Sequence, residues 1–305
     1  MLRYTAQRLL WVIPVLFGIG TITFVLMHAV PGGPWDENKK LPPQTVANLN
    51  HRYGLDDSLI VQYGRFLGNA VRGDLGISYT NQNRDVTQVL RQGLPATATL
   101  AGLALLISVG AGIPLGVAAA ARRNSSVDFL TIALATVFAS VPGFILGIIL
   151  VMIFSVFWDI LPSGGWGSPS HVVLPSLALA LLPMAFIARI TRSSVLDVLD
   201  QDYVRTAEAK GMPPLVVHYR HVLRNALVPI ITIIGAEAGA LITGSFIIET
   251  VFSVPGIGRF FVQGIIQRDY GLITGMVLFY ATVMTVINLI TDLLYAAVDP
   301  RIRYD

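Results

Sequence analysis

From Leu9 to Val30 the chain runs 22 residues without an Asp, Glu, Lys or Arg. A bilayer core about 30 Å thick takes roughly 20 such residues as a helix, so this stretch commits the chain to a lipid solvent. Five further apolar stretches follow: Leu94 to Ala121, Phe129 to Trp158, Val172 to Ile190, Leu227 to Phe252 and Leu272 to Val298. Pro142-Gly143 falls near the middle of the third, and Pro183 interrupts the short fourth, which ends near Arg189. The expected fold is an all-α polytopic membrane protein with six transmembrane helices. Composition agrees. Charged residues are 13% of the 305, against about 25% in soluble domains, and the mean hydropathy of +0.66 excludes a disordered chain.

The first run is longer than the apolar core of a secretory leader, about 7–15 residues. It is followed by Pro31-Gly32-Gly33-Pro34 and by no small-x-small cleavage site, so a retained span is expected.

Orientation follows from Lys and Arg in short loops. Arg3 and Arg8 precede span one, and Arg122 and Arg123 separate spans two and three. Arg189, Arg192, Arg205, Lys210, Arg220 and Arg224 surround the loop between spans four and five, and Arg301 and Arg303 follow span six. Residues 159–171 have neither Lys nor Arg, and residues 253–271 have only Arg259 and Arg268. Both termini are therefore expected in the cytoplasm. Retained basic loops explain the net charge of +3 and the pI near 9.3, so nucleic acid is not needed as a partner.

Three regions are expected: 1–30 with the first span, 31–93 as an extracytoplasmic loop, and 94–305 as the core. In the loop, Gln44 to Tyr53 and Leu59 to Val71 have amphipathic helical spacing, with Asp57 or Ser58 as N-cap of the second and Gly73-Asp74-Leu75-Gly76 as a turn. It is either a platform that meets a partner or a cap packed on the bundle. In the inner loop 191–226, Asp200 or Asp202 is positioned to cap a short helix Tyr203–Lys210, with Gly211 at its C-terminal end and Pro213-Pro214 preventing continuation. A second helix, Leu215 to Ala226, carries His218, Arg220, His221 and Arg224 on its polar face. The pair reads as a projection for docking a soluble protein or as an interfacial hairpin.

Several chemistries are excluded. With no cysteine there is no disulfide framework, thiolate zinc site or cysteine nucleophile. The lysines are Lys39, Lys40 and Lys210, and none follows a glycine, so the phosphate-cradling Gly-Lys-Ser/Thr loop of an ATPase is missing. His28, His51, His171, His218 and His221 lack metal-ligand spacing. No catalytic triad can be assembled, and the chain reads as a non-enzyme.

Ionisable and polar groups inside spans point to a pathway or to partnered interior positions. Glu237 lies mid-span between Gly235 and Gly239, and Asn288 and Asp292 share one face of the last span. With Ser245 and Glu249 these make the expected pathway set. Pro114, Pro142, Pro183 and Pro229 are expected to soften helices two to five, Pro175 to start its helix, and Gly112/Gly116 and Gly143/Gly147 to be packing notches.

The stretch Gln201-Asp202-Tyr203-Val204-Arg205-Thr206-Ala207-Glu208-Ala209-Lys210-Gly211, followed by His221-Val222-Leu223-Arg224-Asn225-Ala226-Leu227-Val228-Pro229, resembles the cytoplasmic EAA loop of ABC importer permeases. Gly54-Leu55-Asp56, Gly73-Asp74-Leu75-Gly76, Glu249-Thr250-Val251-Phe252, Pro255-Gly256-Ile257-Gly258 and Asp299-Pro300-Arg301 also look like the dipeptide/oligopeptide family, B-type membrane subunit. The resemblance covers nearly the whole chain and implies a type I importer permease in the inner membrane. It would pair with a second, similar permease, two ATPase subunits that bind ATP and Mg, and an extracytoplasmic substrate-binding protein. Tyr203, Arg205, Thr206, Ala207, Glu208, Ala209, Lys210 and Gly211 would form the ATPase-coupling helix, with close packing at Ala207 and Gly211. One departure stands out: aligned on Gly211, the Glu-Ala-Ala triplet is Arg205-Thr206-Ala207, so the triplet's acidic contact does not transfer to Arg205. The implied cargo is a peptide, with nickel complexes, haem, glutathione or oligosaccharides as alternatives. A stand-alone secondary carrier is the rival class; no internal repeat favours it.

Overall fold

Each of the six apolar stretches is helical in the computed structural model, which describes residues 2–30, 35, 42–80, 84–213, 216–217 and 222–298. Five are continuous and long enough to cross a membrane: Leu10–Ala29, Val86–Ala121, Ser170–Leu199, Asn225–Val251 and Tyr270–Tyr295. The third is a helix pair, Ser126–Ser140 and Gly143–Phe157, bent by 103°. Pro142 supplies the break: it has no N–H to continue the ladder and disfavours helical geometry at Val141, whose ψ is 126°. Pro114, Pro183 and Pro229 lie within unbroken helices, as does Pro175, which sits inside Ser170–Leu199 rather than at its start.

Two units make up the chain, residues 1–96 with 255–285 and residues 97–254 with 286–305. The first holds α1 (Leu2–Ala29), α2 (Pro43–Tyr53) and α3 (Leu59–Val71). Pro43 starts α2, where its missing N–H is no loss, and Gly54 ends it at φ 65°. Ser58 precedes α3, but its side chain makes no capping bond; its carbonyl accepts from Val61 and Gln62, while the Asp57 carboxylate pairs with Arg65. The outer helices are tied to α1. Tyr63 and Thr21 share a hydroxyl bond at 2.6 Å. The His28 ring meets Gln62 Oε1 at 3.1 Å, and Gln62 Nε2 donates to the Leu55 and Asp57 carbonyls.

Further along in this unit come the first turns of α4 (Val86–Ala121), the helix Ile257–Ile266 and the first part of the last helix, Tyr270–Val298. Val86, Val89, Leu90, Ile257, Leu272, Met276 and Tyr280 form its buried core. Three donors of the segment before α4 converge on one carboxylate. Asp269 is 1% exposed, and its carboxylate accepts from the Ser78 hydroxyl, Tyr79 N at 2.9 Å, Thr80 N at 3.2 Å and Leu272 N at 3.1 Å. It therefore caps the last span and clamps the outer loop at once. Burial, helped by the nearby Asp269 charge, pushes the Tyr79 phenol up to about 12. Its stabilising contribution is intact below pH 10 and is lost as the pH rises from there through about 12.

The second unit holds the rest of α4, then α5 (Ser126–Ser140), α6 (Gly143–Val151) with its π-helical end Met152–Phe157, α7 (Ser170–Leu199), α8 (Asp202–Ala209), α9 (Arg224–Gly244) and α10 (Phe246–Val251). α11 (Ile257–Ile266) belongs to the first unit, and α12 (Tyr270–Val298) contributes to both. Small residues set how α4 meets α7. Ser108 Oγ donates to the Ala180 carbonyl at 2.9 Å. A Cβ on Gly112 would lie 3.0 Å from the Met184 carbonyl oxygen, and one on Gly116 would lie 2.5 Å from that of Ala188. The matched positions rise together in steps of four, so α4 and α7 run parallel. The segment between them must then carry the chain across the membrane, which makes the bent pair a sixth crossing and not a re-entrant loop. Gly116→Leu forces these helices apart and is expected to lower stability by about 3 kcal/mol, read as a drop in the thermal midpoint of the detergent-solubilised protein.

Candidate coupling helix and polar interior

The short helix α8 is built from three local devices. Gln201 stands at its start: the Gln201 carbonyl accepts from Val204 N at 3.0 Å and Arg205 N at 3.3 Å. This corrects the expected cap. Asp200 ends α7, and Asp202 is already helical, its charge in the first turn where the helix dipole favours an anion. At the far end Met212 N donates to the Ala207 carbonyl at 3.3 Å, and Gly211 has φ 74°, a left-handed stop that favours glycine and, after it, asparagine. The helix therefore covers Asp202–Ala209, one residue earlier than expected.

One face of α8 is anchored. Val204 is 0% and Ala207 6% exposed, within a cluster that includes Ala120, Val195, Val222, Ala226 and Ile230. The Tyr203 hydroxyl accepts from Asn225 Nδ2 at 2.6 Å, tying α8 to α9. Arg205, Thr206, Ala209, Lys210 and Gly211 are exposed. Ala207 is thus close-packed within its own chain, whereas a Cβ on Gly211 meets nothing within 4 Å among the described residues; Gly211 serves its backbone angle. The Glu208 and Arg224 side chains, and His218, Arg220 and His221 of the expected basic helix, lie outside the described residues, as do Pro31-Gly32-Gly33-Pro34 and Asp299-Pro300-Arg301.

Sequence reasoning missed the pair that braces α7. Arg192 Nε donates to Asp128 Oδ1 at 2.5 Å and Nη2 to Oδ2 at 2.8 Å. Asn124, at φ 62°, adds its N–H to the same carboxylate at 2.9 Å. A lone acid in the first turn of a span was the available signal.

Among the polar residues of the spans, the structure joins Ser245 to Glu249. Glu249 is fully buried, and its Oε1 accepts from Ser245 Oγ at 2.7 Å and Thr97 Oγ1 at 2.6 Å. The knot fastens α4 to α10. Ser245 also marks the break between α9 and α10. Glu237 is half-buried on α9; Asn288 is exposed and Asp292 half-buried, one turn apart on α12. α9 and α12 pack antiparallel, with Tyr295 donating to Thr232 Oγ1 at 2.7 Å and Gly235 admitting the Thr291 side chain.

Comparison with known proteins agrees with this architecture. The family of binding-protein-dependent transport system inner membrane components matches residues 112–304, and its N-terminal component matches residues 1–101. The dipeptide transport system permease protein DppB of Bacillus subtilis is 42% identical over 303 residues, covering 99% of this chain and 98% of the relative. The oligopeptide transport system permease protein OppB of Escherichia coli K12 is 38% identical over 306 residues, covering 100% of both. A chain of the inward-facing MetNI methionine ABC transporter shares the fold at a TM-score of 0.58 and 20% identity, covering 69% of this chain and 96% of its own. The chain is a multi-pass membrane protein and belongs to the family of binding-protein-dependent transport system inner membrane components.

Proposed function

We propose that the chain forms half of the translocation pathway of an ATP-driven, binding-protein-dependent importer of di- and oligopeptides. Full-length identity to DppB and OppB supports the substrate class. The observation that carries the mechanism is α8, a capped eight-residue helix standing at the end of α7 with Arg205, Thr206, Ala209 and Lys210 turned outward. Its shape suits a groove in a soluble motor subunit. In this reading two ATPases hold ATP and Mg, a second permease completes the pathway and a binding protein delivers cargo. The chain itself performs no hydrolysis, because no lysine follows a glycine.

In this reading the protein lies in the inner membrane with both termini and α8 in the cytoplasm. The antiparallel packing of α1 on α12 supports a shared side for the termini: His28 faces Tyr270, and Gly20 lies against Leu278. Glu237, Asn288 and Asp292 face the aqueous pathway, and Ser245 and Glu249 hold its wall. The test is uptake of labelled dipeptide into proteoliposomes. Transport is expected only when the second permease, ATPases, binding protein and ATP are all present. Uptake by this chain alone would point to a secondary carrier, and uptake of nickel complexes, haem, glutathione or oligosaccharides but not peptides would overturn the substrate.

A further inference from the structure

We infer that Asp128 and Arg192 are positioning residues that make α5, the inner part of α7 and the coupling helix α8 one lever; this rests on the importer reading. The argument begins with geometry. The pair is two-pronged, and the Asp128 and Arg192 side chains are 4% and 22% exposed. A forked guanidinium–carboxylate pair fixes orientation as well as distance. The Asn124 N–H completes the clamp on Asp128, so the turn at 122–125 is held with it.

Arg192 lies seven residues before Leu199, about 10 Å along the helix at 1.5 Å per residue, and α8 starts three residues later. Arg123, in the turn before α5, reaches Asp200 at the joint between α7 and α8 at 4.0 Å, an exposed contact that adds to the route. Val204 and Ala207 of α8 pack with Val195 of α7, so a displacement of α8 is passed to the helix that carries Arg192.

The outer half of the same span is held elsewhere. A Cβ on Gly147 of α6 would lie 3.1 Å from the Phe252 ring and 3.5 Å from Ala178, and Gly165 N donates to the Phe252 carbonyl at 2.7 Å. Each rod carries a proline between its two anchors. Pro142 separates Asp128 from Gly147 in the bent span, and Pro183 separates Ala178 from Arg192 in α7. Both positions lack a helical hydrogen bond. The inner lever can thus pivot against the outer anchor at two soft points, one in each rod, and the Asp128–Arg192 clamp keeps α5 moving with α7.

The test uses the chain assembled with its ATPases, second permease and binding protein in proteoliposomes. D128N and R192Q are expected to raise the ATP hydrolysed per peptide delivered by roughly fivefold, with assembly and ATPase rate near wild type. The exchanged pair D128R/R192D is expected to recover at least half of the lost coupling, because the attraction is restored in reverse. Wild-type stoichiometry in the single variants, or no recovery in an assembled exchanged pair, overturns the lever. D128E keeps the charge but lengthens the arm, and it carries the test if D128N does not assemble: impaired coupling at normal ATPase rate supports the lever and normal coupling overturns it. If the wild-type complex fails to link ATP to uptake, the importer reading falls, and hydrogen exchange decides the lever separately. R192Q is then expected to raise exchange across 122–129 and 200–209 together; unchanged protection over 200–209 overturns the lever.

Discussion

Gly211→Leu is expected to leave membrane insertion and basal ATP hydrolysis intact while uptake falls about tenfold. The cause is local. At φ 74° a side chain with a Cβ costs about 1–2 kcal/mol, and 1.4 kcal/mol is a factor of about ten in a population. The strain is relieved by giving up the left-handed turn, and with it the bond from Met212 N to the Ala207 carbonyl that closes α8. The rest of the fold is expected to be undisturbed, because the Cβ meets no described residue within 4 Å. Gly211→Asn is the control, since asparagine visits this conformation readily. Measuring uptake and ATP hydrolysis in the same vesicles checks both; full uptake in the leucine variant would remove α8 from the coupling route.

The second large effect is expected at Asp269. Replacing it with alanine removes the acceptor for the Ser78 hydroxyl and for the Tyr79, Thr80 and Leu272 N–H groups. An orphaned buried donor costs about 1–3 kcal/mol. Partial rehydration of the loop limits the total, so a loss of about 4 kcal/mol is expected. The readout is a lowered thermal midpoint together with faster proteolysis within residues 31–93. The Tyr79 phenol provides a second readout: without the Asp269 charge its pKa is expected to fall from about 12, visible in an ultraviolet titration of the folded protein. Unchanged loop protection in Asp269→Ala would mean that the outer segment is held by its α1 contacts and by the packing of Leu75 and Ile77 on the last helix.

Apolar spacing located every span, because lipid imposes one length and one composition on all of them. It was weakest where a helix leaves the lipid. α4 begins at Val86, eight residues before the apolar run, since Val86, Val89 and Leu90 pack inward while Thr87, Gln88 and Arg91 keep the turn polar. α7 continues to Leu199 through Arg189 and Arg192, which read from sequence as the end of a span; Asp128 accommodates one of those charges. The short inner helix was legible from Gly211 and the prolines after it. Its true cap was not, because Gln201 acts through its backbone carbonyl and any residue type could do the same. The Asp128–Arg192 and Thr97–Glu249 contacts join residues far apart in the chain, and no local pattern encodes them. Asp269 was accessible in principle, as an acidic residue directly before the apolar run of the last span.

The 103° break at Pro142 has a consequence for neighbours. Helix ends leave backbone N–H and C=O groups without partners inside the helix, and hydrocarbon offers them none. Ser140, Pro142 and Phe144 stand uncovered in the single chain. In the importer reading that elbow is expected to abut a companion polypeptide or a film of water and not acyl chains, which would give the subunit an inward side.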